Sequence, residues 1–242
     1  MGGWVSRAPA AWIAVKLVLI GAYLLGTNRL LAERVANMGL QPGLAVFAAV
    51  WLLCIVTMLV LAFHARTPAR VVWSAIFFLG STFTLAHALI VSRHLGFIEF
   101  EQLLGLIGFA HNLKAFHDAQ ILQAVAWSAL GVIAINLPPW LAPPDSPSLL
   151  RWPQRNPGLL QLLPVVAIGA ILYLRGGEGS NGFPGQYTTA AFAGVLGAEK
   201  VLAPPAPQRE DIALAHLGER PFRHIVLVMD ESVRGDYVDR NV

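Results

Sequence analysis

Five apolar runs, at residues 9–28, 42–63, 71–92, 120–137 and 157–174, limit what this chain can fold into more than any other feature. A helix rises about 1.5 Å per residue and the hydrocarbon of a bilayer is about 30 Å thick, so about 20 apolar residues are needed to cross it. Each run approaches that length. Inside lipid no water satisfies backbone N–H and C=O groups, so each crossing segment must be helical. The last run is short and contains Pro164, which is tolerable where neighbouring helices satisfy the freed carbonyl. The chain is 56% hydrophobic and 13% charged, against about 25% charged in a soluble domain.

The net charge of +3 does not mark a nucleic-acid binder. The arginines and lysines are scattered between apolar runs and form no basic face that could follow a phosphate backbone. The single cysteine, Cys54, lies within an apolar run, where it can form no intrachain disulfide and reads as a small buried residue. Arg7 followed by an apolar stretch resembles a secretory signal, but the stretch carries Lys16, has no clear small-residue cleavage site and is too long. It reads as an uncleaved first span, with Lys16 snorkelling to the interface.

Charge placement sets the orientation. Arg7, Arg66, Arg70, Arg151 and Arg155 fall on one side and mark it as cytoplasmic. Arg29, Arg34, Arg93 and Lys114 fall on the other, diluted by Glu33, Glu99, Glu101 and Asp118. Five spans then place the C-terminus outside. Residues 95–116 are polar at both ends of a short apolar stretch, 103–110, and predict an interfacial or re-entrant amphipathic segment rather than a sixth span.

The expected organisation is a transmembrane domain at 1–175, an external linker at 176–220 and the start of a second domain at 221–242. The linker includes a glycine-rich stretch, a weakly helical stretch at 188–202 and the proline-rich 203–208. The fold class is thus an α-helical membrane bundle of about five transmembrane helices followed by the start of an α/β domain.

Chemistry concentrates in residues 223–237, RHIVLVMDESVRGDY. The unbroken β-branched-rich run 225–229 reads as a parallel strand covered on both faces. It ends in Asp230 and Glu231, and ligands of open α/β sheets sit beyond the carboxyl ends of strands. Two carboxylates there suit a hard or borderline cation. The alternative is that Asp230 or Ser232 caps a helix and Glu231 lies solvated in its first turn.

This pattern of apolar strand, acidic pair, Ser, any residue, Arg, any residue and Asp resembles the start of the catalytic domain of membrane-bound phosphoethanolamine transferases, in the alkaline phosphatase and sulfatase superfamily. Five spans before an external domain are similar to that family too. The resemblance implies that Glu231 ligates the catalytic metal, Zn2+ or Mn2+, with Asp230 as a second candidate ligand. It implies a Thr nucleophile beyond Val242 rather than Ser232, and further Asp and His ligands beyond it as well. One or two carboxylates make a poor zinc site, since catalytic zinc takes three protein ligands. The sequence is therefore expected to be the N-terminal part of a longer enzyme of the bacterial inner membrane, inactive alone. Its partners would be a phospholipid donor and an envelope glycolipid or glycan acceptor. A phosphoglycerol transferase, a sulfatase-like hydrolase and a non-catalytic membrane protein or transporter are the alternatives.

Other polar residues carry weaker readings. His87 and His94, seven apart, would share a helical face and could bind a metal, although packed or interfacial imidazoles are commoner. His111, Lys114, His117 and Asp118 could contact a phospholipid headgroup. Arg234 and Asp236 could steady the metal loop. The glycines at 176–185 are followed by no Gly-Lys-Ser/Thr, so they do not form a phosphate-cradling loop.

Overall fold

A computed structural model describes residues 10–39, 42–64, 67–107, 118–140 and 156–202. It contains α1 (Ala10–Thr27), α2 (Leu31–Met38), α3 (Pro42–His64), α4 (Thr67–Val91), α5 (Phe97–Ile107), α6 (Asp118–Asn136), α7 (Pro157–Leu160), α8 (Leu162–Leu174) and α9 (Gly185–Leu202). The compact unit they form ends at Ala203, and the expected strand at 225–229 lies outside the described residues.

Five segments are long and apolar enough to cross a membrane: Ala10–Thr27, Gly43–His64, Thr67–Val91, Ala119–Asn136 and Pro157–Leu174. They match the five apolar runs. No more than 39% of any span's apolar window is buried within the protein, and Val18, Leu79 and Leu122 are each more than 65% exposed. In water such an apolar exterior would aggregate; in a bilayer the acyl chains solvate it.

Apolar burial cannot hold helices together in lipid, which is as apolar as leucine, so close backbone approach and polar contacts must. Both are present. α4 lies at the centre, packed on α6, α9 and α1, while α9 also packs on α8 and α3 on α8. A Cβ added at Gly131 of α6 would sit 2.4 Å from the Tyr23 ring of α1, so only glycine lets these helices approach. The Tyr23 hydroxyl meets Ser81 Oγ of α4 at 3.3 Å, and Ser81 donates to Ser128 Oγ of α6 at 2.8 Å.

The fifth span is two helices because of Pro164. The proline ring clashes with the carbonyl four residues back, at Leu160, and removes one N–H, so α7 stops there and α8 starts after Gln161. The fully buried Gln161 side chain repairs the break, donating to the Thr57 carbonyl at 2.7 Å and the Pro157 carbonyl at 3.1 Å.

Lys16 does not snorkel. It is 1% exposed, and its ammonium donates to the carbonyls of Ala62 and Leu137, both at 2.6 Å, and of Pro139 at 3.4 Å. Ala62 lies in the last turn of α3, and Leu137 and Pro139 follow α6. These carbonyls have no intrahelical partner, and a cation is the charge a helix C-terminus favours.

The chain beyond Leu174, expected to be linker, folds back into the bundle. At 175–184 it passes from the end of α8 to the middle of its neighbours: the Gly182 carbonyl accepts a 2.9 Å bond from the Trp51 indole, roughly 14 Å along α3 from Pro42. Glycines at 176, 177, 179 and 182 have φ between 62° and 90°, the region L side chains avoid. α9 then packs along α4, Gly185 beside Thr84 and Thr189 beside Gly80, with Tyr187 and Phe192 fully buried while Val201 and Leu202 are exposed. The helical reading of 188–202 holds and extends to Gly185, but this helix belongs to the packed unit.

α5 spans 11 residues, about 16 Å, too short to cross by itself. Phe97 and Phe100 pack on Phe192 of α9, and Phe100 also meets Phe83 of α4. Residues 108–117 lie outside the described residues.

Candidate functional site

Polar side chains gather at the end of the bundle where α1 and α4 stop, α5 starts and residues 175–184 turn inward. α4 ends because Ser92 adopts a left-handed φ of 58°, the conformation that commonly closes a helix. Gly96 precedes α5, and its N–H donates to Glu99 Oε2 at 3.1 Å. This is the acidic half of a capping box. Glu99 also pairs with Arg93 and lies 3.5 Å from His87 Nε2. His87 Nδ1 is 3.2 Å from the Arg93 carbonyl. A carbonyl only accepts, so Nδ1 carries the proton.

His87 and His94 therefore do not form the pair their spacing suggests. The helix ends between them; His87 turns to Glu99 and Arg93, while His94 faces a small cavity with Asn28, Arg29, Ser180 and Asn181. His94 is half-buried, and burial lowers its pKa below the usual 6.5; Arg34 lowers it further and Glu33 partly opposes this.

Beside that cavity lies an open cleft of about 370 Å³ whose lining includes Arg34, Glu99, Arg175, Gly177, Glu178 and Asn181. The arrangement places guanidinium and carboxylate groups across one polar space. Such a space complements a zwitterion, the ammonium against Glu178 or Glu99 and an anionic group against Arg34 or Arg175. Arg34 Nε is buried and, among the described residues, has no hydrogen-bond partner, which is a desolvation cost left uncompensated.

The candidate metal ligands Asp230 and Glu231 lie outside the described residues, as do Ser232, Arg234, Asp236, His111, Lys114 and His117. Asp118 is the first residue of α6. Among the described residues no three of His, Cys, Asp and Glu come together to hold a metal ion. Sequence reading missed Arg175, Glu178 and Asn181, because their cleft exists only once 175–184 turns back. The glycine spacing there was the signal available.

The fold defines a multi-pass α-helical membrane protein. No protein-family model, no curated protein and no solved structure matches the chain.

Proposed function

We propose that this chain is the membrane portion of a metal-dependent transferase of the alkaline phosphatase and sulfatase superfamily. It moves phosphoethanolamine from phosphatidylethanolamine to an envelope glycolipid or glycan on the outer face of a bacterial inner membrane. The observation that carries the reading is the motif at 225–236, an apolar run ending in Asp230-Glu231-Ser232 with Arg234 and Asp236 behind it, downstream of five apolar helices.

In this reading Glu231, with Asp230 beside it, supplies carboxylate oxygens to a Zn2+ or Mn2+ whose other ligands lie beyond Val242. Carboxylates suit both ions. The metal would supply Lewis-acid polarisation of the phosphoryl group and activation of the hydroxyl nucleophile. The cleft at Arg34, Glu99, Arg175 and Glu178 supports a zwitterionic donor over an anionic one such as phosphatidylglycerol, since its carboxylates would repel a donor without an ammonium.

The test is Glu231→Gln in the protein extended through the expected nucleophile. It keeps size and removes the ligand charge, so bound metal and transfer from phosphatidylethanolamine should both fall by at least tenfold, the range for disturbing a metal site. Ser232→Ala should retain both. A Glu231→Gln protein with full metal and normal transfer would remove the basis of the assignment.

A further inference from the structure

The opposite end of the bundle holds two buried cations, and its described segments 10–16, 60–64, 67–74, 132–140 and 156–162 contain no Asp or Glu. Arg70, in the first turn of α4, is 5% exposed. Its Nη2 donates to Thr67 Oγ1 at 3.3 Å, and its guanidinium stacks 4.3 Å over the Trp140 ring, but among the described residues Nε and Nη1 have no hydrogen-bond partner. Lys16 lies close enough to repel it. All three ammonium hydrogens of Lys16 are taken by carbonyls, which are dipoles and leave its net charge uncancelled. The positive end of the 25-residue α4 adds to the same field.

Sequence next to this end strengthens the imbalance. Residues 1–16, 64–70 and 137–156 carry Arg7, Lys16, Arg66, Arg70, Arg151 and Arg155 against one acid, Asp145. Trp12 and Trp140, each more than half exposed, stand at the same end and mark it as a membrane interface. A buried cation without a partner is among the costliest arrangements in a protein. At a bilayer interface the abundant anion is the phospholipid phosphate.

We propose that this end binds an anionic phospholipid, with its phosphate bridging Nε and Nη1 of Arg70. The two orphan donors lie on adjacent nitrogens of one planar group, the geometry that takes a phosphate in a bidentate grip. Trp140, 55% exposed, stacks on the face of the guanidinium and holds its plane in place for the headgroup. An apolar groove of about 360 Å³ between α4 and α7, lined by Ala69, Trp73, Pro157, Gly158, Leu159 and Leu162, lies next along α4 and accepts an acyl chain. The lipid is anionic rather than zwitterionic because the described residues around Arg70 offer no carboxylate to an ammonium, in contrast to the cleft at Arg34. This site does not depend on the transferase reading.

The test is native mass spectrometry of the full chain after exchange into detergent containing equal phosphatidylglycerol and phosphatidylethanolamine. Wild type should retain phosphatidylglycerol about fivefold or more over phosphatidylethanolamine, the scale of one basic contact at a lipid surface. Arg70→Gln should erase the preference. Trp140→Ala, at an exposed position that leaves the bundle intact, should weaken retention of phosphatidylglycerol while Asp145→Asn leaves it unchanged. Equal retention of both lipids by wild type, or a full preference in Arg70→Gln, overturns the proposal. So does complete competition by millimolar inorganic phosphate, which would make the site one for the free anion. A gain of phosphatidylglycerol in Asp145→Asn from none in wild type would identify Asp145 as the counter-ion and overturn it equally.

Discussion

Removing one oxygen atom tests whether α9 is seated in the bundle. The Tyr187 hydroxyl is fully buried and donates to Gln161 Oε1 at 2.7 Å; it also lies 3.0 Å from Thr57 Oγ1 and 3.2 Å from the Cys54 carbonyl. Tyr187→Phe keeps the ring, which packs on Phe77 at 4.9 Å, and deletes these bonds. Thr57 still donates to the Cys54 carbonyl at 3.1 Å, so the main loss is at Gln161 Oε1, which becomes a buried acceptor without a donor. Such a loss costs about 1–3 kcal/mol in proteins generally, and interhelical hydrogen bonds in membranes reach about 1.7. An expected cost of about 1–2 kcal/mol multiplies the open population by about 5- to 30-fold. Cys54 is the single cysteine and is fully buried beside Tyr187, so its labelling by membrane-permeant N-ethylmaleimide reports opening directly. Labelling should be slow in wild type and accelerate by that factor in Tyr187→Phe. A rate changed by less than twofold would show that the Tyr187 contacts do not hold the interior closed.

Gly131→Ala drives a methyl into the Tyr23 ring and should cost about 1–3 kcal/mol, the range for overpacking, seen as a lower thermal midpoint in detergent; an unchanged midpoint would contradict the close α1–α6 approach. The pKa of His94 is lowered by burial and Arg34, so the unfolded chain binds its proton more readily. Stability from this group is complete above about pH 6.5 and falls as pH drops through the lower folded value; His94→Gln should flatten that part of a stability profile, and an unaltered profile would exclude the group. A reporter after Arg209 should read as external and one near Thr67 as cytoplasmic; a cytoplasmic signal at both would defeat the five-span topology.

Hydropathy alone specified the five crossing helices, because the cost of unpaired backbone in lipid leaves a long apolar run no other structure. Pro164 likewise announced a local disturbance, and the ring's clash with the Leu160 carbonyl follows from covalent geometry. The reading of Asp230 and Glu231 as metal ligands rests on the sequence alone, since both lie outside the described residues. Tertiary structure decided the rest. Lys16 is an interfacial cation by position, yet the unpaired carbonyls ending α3 and α6 converge on it, and no linear pattern records that convergence. His87 and His94 share a face only if the helix continues, and the backbone at Ser92 ends it. Residues 175–202 have the composition of a linker, but glycines at positive φ turn them inward and Tyr187, with partners at Cys54, Thr57 and Gln161, holds them there. Those bonds join positions 26 to 133 residues apart, so they and the cleft they create come into being only when the helices pack.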